Sequence, residues 1–150
     1  MGLASKSPLR AGIDVAWAVE ARPNKLYGSA IAHAYHLESV VAQWPRIVVG
    51  DGALDYLKDY AKKGDNSLSA QYRRLISEIC LSMLMVDIDG NHSVDYLGQN
   101  YTNATKATLN QSAKDLAILY IEEQISHWGQ QGNEKLVERY KNVQAYFIGS

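Results

Sequence analysis

Apolar and polar residues alternate along residues 9–21, near the start of the chain. The apolar members of this pattern lie two residues apart: Ile13, Val15, Trp17 and Val19. A period of two is typical of a β-strand, so the pattern predicts a strand with one buried face. The Arg-Pro-Asn sequence at 22–24 is a turn signal, and residues 25–27 are predicted to return as the second strand of a hairpin.

The next segment has apolar residues at helical spacing. Ser29 is positioned to cap a helix that continues through Ser39 or beyond. One side of this helix is apolar and is expected to pack on the sheet: Ala30, Ala34, Leu37 and Val41. Pro45 ends the segment, and residues 46–49 predict a short strand that is buried on both faces.

Two further helices are predicted after this strand. Asp51 is positioned to cap the first of them, and the Gly-Asp-Asn sequence at 64–66 is expected to break it. Either Ser67 or Ser69 would then open the second helix, which carries apolar residues at helical spacing.

The rest of the chain combines a predicted hairpin with helices. Residues 81–88 are an apolar run expected to form a strand, residues 89–91 a tight turn, and residues 92–97 the partner strand. Helical spacing then extends over 103–128 and again over 133–147, with glycines between the two segments. The succession predicts a mixed α+β domain and no repeat or helical bundle.

The bulk composition is that of a single globular domain, with 150 residues, 47% apolar and 21% charged. A net charge of −1 provides no field that would attract nucleic acid or an anionic membrane, so neither is expected as a partner. Cys80 is the only cysteine, so no internal disulfide can form, and we expect a thiol packed in the core. No stretch has the pattern of a signal peptide or a membrane span, which favours a cytoplasmic location.

One short motif is similar to part of a calcium loop. Asp87, Asp89 and Gly90 have the spacing of such a loop, but with Gly90 at the glycine position Met85 and Tyr96 stand where carboxylates are required. A hairpin turn is therefore the prediction for this motif.

A pair of histidines is the other candidate for metal binding. His33 and His36 are three residues apart on a predicted helix and could share a face. No third ligand stands at a suitable spacing, so no metal site is predicted. The sequence also lacks the nucleophile elbow, the Walker loop, the dinucleotide fingerprint and the His-Glu-x-x-His motif.

Several short stretches form a series: residues 9–15, 26–30, 34–39 and 44–49, the pair Asp89-Gly90, and residues 95–97. In order and separation they resemble the distal half of a class III nucleotidyl cyclase domain, the fold of adenylyl and guanylyl cyclases. The series is similar in particular to a prokaryotic cyclase-homology group that includes relatives of the antiphage pyrimidine cyclases. The resemblance spans residues 9–97.

This resemblance implies an α+β fold with a mixed, largely antiparallel sheet and helices packed on one side. It implies a partial, ferredoxin-like cyclase fold at 9–98 and a helical extension with two C-terminal helices at 103–150, within one domain at 1–150. In active relatives the two metal-binding aspartates lie upstream of anything present here, so we expect the distal half alone. No cofactor is expected, and Mg²⁺ or Mn²⁺ would be needed only if the missing half is supplied.

The resemblance also identifies the positions that face the nucleotide in active purine cyclases. The acidic residue that reads the base corresponds to Lys25, the asparagine that orients the ribose to Ala32, and the arginine that binds phosphate to His36. Imidazole is a poor replacement for a permanent bidentate cation. Asp87 and Asp89 stand where a lysine is expected. No catalytic residue is predicted, and these three aligned positions are the nucleotide-facing candidates.

We therefore expect a non-catalytic cyclase-homology domain that acts by association, either as a homodimer or with a cyclase-like partner half. Cyclase-type domains form head-to-tail dimers, and a half-domain exposes a sheet edge and an apolar face. One alternative is a fragment of a nucleotidyl cyclase that makes cyclic nucleotide only with the half that carries the metals. A second alternative is a nucleotide-binding sensor that kept the pocket but not the chemistry.

Overall fold

A computed structural model describes residues 2–62, 66–106 and 111–149 of the chain. Its strands and helices follow in this order: β1 (Ala11–Ile13), β2 (Val19–Arg22), β3 (Lys25–Tyr27), α1 (Ser29–His36) with a π-helical continuation (Leu37–Val41), β4 (Ile47–Val49), α2 (Asp51–Lys62), α3 (Leu68–Ser82), β5 (Leu84–Val86), β6 (His92–Val94), α4 (Gln99–Thr105), α5 (Gln111–Gln130) and α6 (Glu134–Gly149).

Four of the strands form one sheet in the order β1-β4-β6-β5. β1 runs parallel to β4, whereas β4 with β6 and β6 with β5 are antiparallel pairs. β2 and β3 form a separate antiparallel hairpin. The prediction of an α+β fold with a mixed, largely antiparallel sheet and two C-terminal helices is therefore confirmed. Among the residues that the structure describes, no helix is both long and apolar enough to cross a membrane.

The larger core cluster joins the two C-terminal helices to the beginning and the middle of the chain. α5 and α6 pack side by side, and the predicted apolar stripes are buried where the helices meet, except for Leu116, which is 52% exposed. The buried members of this cluster are Leu3, Trp44, Ala117, Tyr120, Ile121, Val143 and Phe147. Burial of this many large apolar side chains is the main stabilising contribution in this part of the domain.

A smaller cluster holds α2 against the sheet. Val49 of β4 packs with Ala53 and Leu54 of α2, and Leu84 and Val94 complete the contact from the neighbouring strands. The predicted burial of the strand at 46–49 is confirmed, although regular pairing begins at Ile47.

The long strand predicted at 9–21 is wrong. It divides into β1 and β2, and the apolar side chains that were expected to be buried are exposed. The interruption begins at Asp14, whose carboxylate accepts hydrogen bonds from the backbone N–H groups of Val15 and Ala53. An Asp side chain that accepts a hydrogen bond from the next backbone amide competes with strand pairing. The alternation of residues does not reveal this bond, so it predicted a continuous strand. The predicted hairpin turn is confirmed, with Asn24 at φ 63°.

The predicted caps have different outcomes. Ser67 caps α3, because its hydroxyl accepts a hydrogen bond from Ala70 N at 3.3 Å. Ser29 does not cap α1, since the residue that precedes the first helical turn is Gly28 and its side chain provides no acceptor. α1 does continue beyond Ser39 as predicted, in π-helical form.

Two boundaries differ from the sequence prediction. The strand predicted at 81–88 is shorter, because α3 continues through Ser82 and only β5 is extended. A short apolar run has no period that separates a helix end from a strand. The helix predicted at 103–128 begins earlier, as α4, and Lys106 after it has a left-handed conformation. Residues 64 and 65 of the predicted break lie outside the described residues.

Candidate functional site

Ten large apolar side chains between residues 9 and 40 are exposed, with exposed fractions from 43% to 70%. We call this set the N-terminal apolar surface, and its members are Leu9, Ile13, Val15, Trp17, Val19, Leu26, Tyr27, Ile31, Tyr35 and Val40. The three aromatic members, Trp17, Tyr27 and Tyr35, are 57% to 70% exposed. Aromatic side chains bury about 150–250 Å² each, so these three leave on the order of 400 Å² uncovered. Exposed apolar patches of this size often mark interaction sites.

The hairpin and α1, which carry half of the residues of this surface, are in direct contact. Ala30 N donates to the carbonyl oxygen of Trp17 at 3.3 Å, which joins the base of the hairpin to the first turn of the helix. Gly28 lies between them at φ 148°, and a Cβ there would collide with the backbone of Trp17 and Ala18. The glycine lets the chain turn sharply into the helix, and it keeps the two elements of the surface together.

Asp14 anchors this surface to the rest of the domain. Its side chain is only 7% exposed, and Oδ1 accepts hydrogen bonds from Val15 N at 2.8 Å and Ala53 N at 2.9 Å. Oδ2 lies 3.1 Å from His33 Nδ1. A Cβ on Gly50 would lie 2.7 Å from the Asp14 carboxylate carbon, so only glycine leaves room for this arrangement.

The role predicted for Asp51 therefore belongs to Asp14. The carboxylate that accepts from Ala53 N in the first turn of α2 comes from a residue 39 positions earlier, and the same amide also donates to Gly50 O. The available signal was a charged residue, Asp14, whose neighbours at the same alternate positions are Ala16 and Ala18, because a carboxylate next to a buried strand requires a partner. His33, considered as a metal ligand from its spacing to His36, binds this carboxylate. In the described ranges, no three His, Cys, Asp or Glu side chains lie close enough together to hold a metal ion.

The three nucleotide-facing candidates are all exposed. Lys25 begins β3, whereas Ala32 and His36 lie one turn apart on α1. None of the three lines the cavity beside Trp44 or the open cavity where α5 turns into α6. Their role stays a prediction from the resemblance.

A second polar cluster is built around Arg46, whose side chain is 4% exposed. Its Nη1 donates to Asp87 Oδ2 and to Asp89 Oδ1, each at 3.0 Å. Nη2 donates to the carbonyl oxygen of Val41 at 2.8 Å and to Asp89 Oδ2. The guanidinium carbon lies 3.8 Å from the ring centroid of Trp44, a cation–π contact.

This cluster neutralises the carboxylates of the β5–β6 turn. The hydrogen bond from Arg46 lowers the pKa of Asp89 to about 2, although partial burial opposes the shift. The tight turn itself is confirmed, with Gly90 at φ 80°. Asp87 and Asp89, which stand where the resemblance expects a lysine, are therefore both hydrogen-bonded to Arg46 of the same chain. Sequence reasoning identified the acids but missed Arg46, since the partner is 41 and 43 residues away.

A tyrosine pair closes the other end of β6. Tyr146 Oη donates to Asp95 Oδ1 at 2.8 Å and accepts a hydrogen bond from Leu97 N at 3.0 Å. Burial raises the pKa of Tyr146, and burial together with nearby carboxylates raises the pKa of Tyr96. The adjacent cavity, beside Trp44, has room for the centre of one water molecule, about 10 Å³. These contacts hold α6 on the sheet, and they leave no room for a larger ligand.

The fold and the site thus define an α+β domain with a large exposed apolar surface and internally paired charges. Comparisons with protein-family models, curated proteins and solved structures give no match to this chain.

Proposed function

We propose that this chain is a non-catalytic domain of the nucleotidyl cyclase type that acts by association with another polypeptide, either a second copy or a partner. The observation that carries the proposal is the N-terminal apolar surface. Exposed apolar area of this size on a folded domain is characteristic of an interaction site.

The exposure of the hairpin supports this assignment. Every residue of β2 and β3 is exposed, so neither face of the hairpin has a core to cover it. An isolated two-stranded hairpin is at best marginally stable in water, and a bound surface would stabilise it. The anchors at Gly28 and Asp14 hold the base of the hairpin in place before a partner arrives, which lowers the conformational entropy lost on binding.

The non-catalytic part of the proposal rests on the cyclase resemblance. The positions aligned with base, ribose and phosphate contacts hold Lys25, Ala32 and His36. Ala32 has no polar atom for the ribose, and His36 is a poor replacement for a permanent bidentate cation. The acids of the later turn are bound by Arg46, so they are not available to hold metal ions. We also propose a cytoplasmic location, because the only cysteine provides no disulfide that an oxidising compartment would favour.

The test combines light scattering with binding of an apolar dye. The wild-type chain is expected to form a concentration-dependent complex, or to bind the dye strongly as a monomer. The double variant Trp17→Ser, Leu26→Ser is expected to lose dye binding, or the part of the association that the N-terminal apolar surface contributes. Leu68→Ser is the matched control, because Leu68 is also exposed but lies on α3, outside the surface. A wild-type chain that is a monomer at high concentration and binds no dye would contradict the proposal.

A second candidate, a fragment that needs a missing cyclase half, is favoured by the outer edge of β1. β1 is the end strand of the sheet, so a further strand could join there. Mixing this chain with a metal-binding cyclase half, Mn²⁺ and each nucleoside triphosphate would then yield a cyclic product. The isolated chain is expected to yield none under either candidate. Product formed only by the mixture would replace the non-catalytic proposal with this one.

A further inference from the structure

The outer edge of β5 carries backbone groups that are free to pair. Met83 O accepts from Asp95 N and Asn91 O accepts from Asp87 N, both at 2.9 Å. In an antiparallel ladder the residues bonded to the partner strand alternate, so Met85 also faces β6. The N–H and C=O groups of Leu84 and Val86 therefore point away from β6, and no partner strand lies on that side within the described residues.

β5 is short, with three residues, but its edge lacks the other features that usually prevent strand addition. It contains no proline, no charged residue and no bulge. The β2–β3 hairpin is better protected, with Arg22 and Lys25 on its strands and a register shift between Glu20 and Arg22. Charges and bulges on edge strands oppose pairing with another chain. Of these two places, β5 is the one open to a new strand.

The side chains and charges around β5 also favour pairing. Val86 is 62% exposed and Ile88 is 73% exposed, so the edge is flanked by apolar surface. The nearby acids, Asp87 and Asp89, would repel a second copy if they were free. Both are paired with Arg46, so the cluster carries one net negative charge per copy instead of two, which reduces the repulsion between identical edges.

We propose that two copies of this chain pair antiparallel through the outer edges of β5, around a twofold axis at Met85. This axis places Leu84 of one copy opposite Val86 of the second, and Val86 opposite Leu84. Both residues present their peptide groups outward, so each of the two pairs forms two hydrogen bonds and the register is self-complementary. The exposed Val86 packs beside Leu84 of the second copy. The two sheets become one continuous sheet of eight strands.

The first test is sedimentation of the full chain and of a variant that alters only the edge. Val86→Pro removes an N–H that points away from β6, so pairing within the chain is retained while the new pairing is blocked. Two symmetry-related hydrogen bonds are lost, and we expect dimerisation to weaken at least about tenfold. Val86→Thr is the control, since it keeps the N–H and the β-branched shape. A monomeric wild type, or equal dimerisation of wild type and Val86→Pro, would overturn the inference.

Cysteine crosslinking tests the register itself, in a Cys80→Ser background. The axis places the two Met85 residues opposite each other with Cα atoms about 4.5 Å apart, within the reach of a disulfide. Met85→Cys is therefore expected to form a covalent dimer under mild oxidation. Val86→Cys is expected to form none, because the two Val86 residues are staggered by two positions. Equal crosslinking at both positions would exclude this register.

The inference and the proposed function can fail separately, because they concern different surfaces. The Trp17→Ser, Leu26→Ser variant leaves β5 unchanged and is expected to keep the crosslink at Met85→Cys. If that variant abolishes dimerisation while Val86→Pro does not, the inference about β5 is wrong and the association through the N-terminal apolar surface stands.

Discussion

The two ends of this domain use apolar residues in opposite ways. α5 and α6 bury theirs against each other and against Trp44, with Ile121 and Val143 almost fully inaccessible. The hairpin and α1 have a comparable supply of apolar side chains and leave them exposed. The packing of α5 and α6 therefore contributes apolar burial to the stability of the isolated chain, whereas the hairpin and α1 have apolar surface that is still exposed to solvent.

Two polar clusters connect these regions to the sheet. Asp14 joins the N-terminal region to the first turn of α2, and Arg46 joins β4 to the β5–β6 turn. Both use a nearly buried charged group whose hydrogen bonds are formed with distant parts of the chain. Loss of a partner would leave a buried charge uncompensated, so each cluster fixes the relative positions of elements that apolar packing alone would not specify.

The largest expected effect comes from the packed end. Ile121→Ala should lower the free energy of unfolding by about 2–5 kcal/mol, because the side chain is fully buried and leaves a cavity. Leu119→Ala is the control on the same helix; Leu119 is exposed and its replacement should change stability by less than about 0.5 kcal/mol. Urea unfolding of the two variants measures the contrast. Similar losses in both would mean that α5 is not packed as described.

The Arg46 cluster should give a stability that depends on acid pH. The folded pKa of Asp89 is lowered from 3.8 to about 2, so its contact with Arg46 contributes fully above about pH 4. This contribution is lost as the pH falls towards 2, and its size is at most about 2 kcal/mol after allowance for solvent screening. Asp89→Asn should flatten the acid limb of a stability–pH curve, whereas Asp59→Asn, an exposed residue of α2, should not. If the free energy of unfolding of the wild type did not decrease more steeply below pH 4 than that of Asp89→Asn, the pairing of Asp89 with Arg46 would be contradicted.

The Asp14 anchor should have a smaller effect. Asp14→Ala removes the acceptor of Val15 N and one of the two acceptors of Ala53 N, which also donates to Gly50 O at 3.1 Å. We expect a loss of about 1.5 kcal/mol in the free energy of unfolding. Asp14→Asn keeps an acceptor oxygen and should lose less than Asp14→Ala. Guanidinium unfolding compares the two variants. If they are equally destabilised, the charge on the carboxylate and not its hydrogen bonding to the amides is the stabilising feature.

The α+β class and the C-terminal helices could be predicted because their signals are local. The apolar stripes of α5 and α6 and the turn at Gly90 follow from nearby residues. The exposed surface and the two polar clusters could not be predicted in this way. Alternation at 9–21 indicates a strand with one apolar side but does not say whether anything covers that side. Asp14 and Arg46 act across 39 to 43 residues, and local sequence contains no information about such partners.

The smallest effects compare the serine at the start of α1, in the exposed region, with the serine at the start of α3. Ser67→Ala should destabilise the chain by about 1 kcal/mol, because its hydroxyl accepts the hydrogen bond from Ala70 N. Ser29→Ala should change stability by less than about 0.5 kcal/mol, since α1 has no side-chain cap at its first turn. Alanine also has the higher helix propensity, so a slight stabilisation at Ser29 is compatible with the geometry. Thermal unfolding of the two single variants and of the double variant measures the change in stability at each serine. A loss at Ser29 as large as that at Ser67 would mean that α1 begins with a capped turn, and that the N-terminal region is more tightly ordered than its exposed side chains indicate.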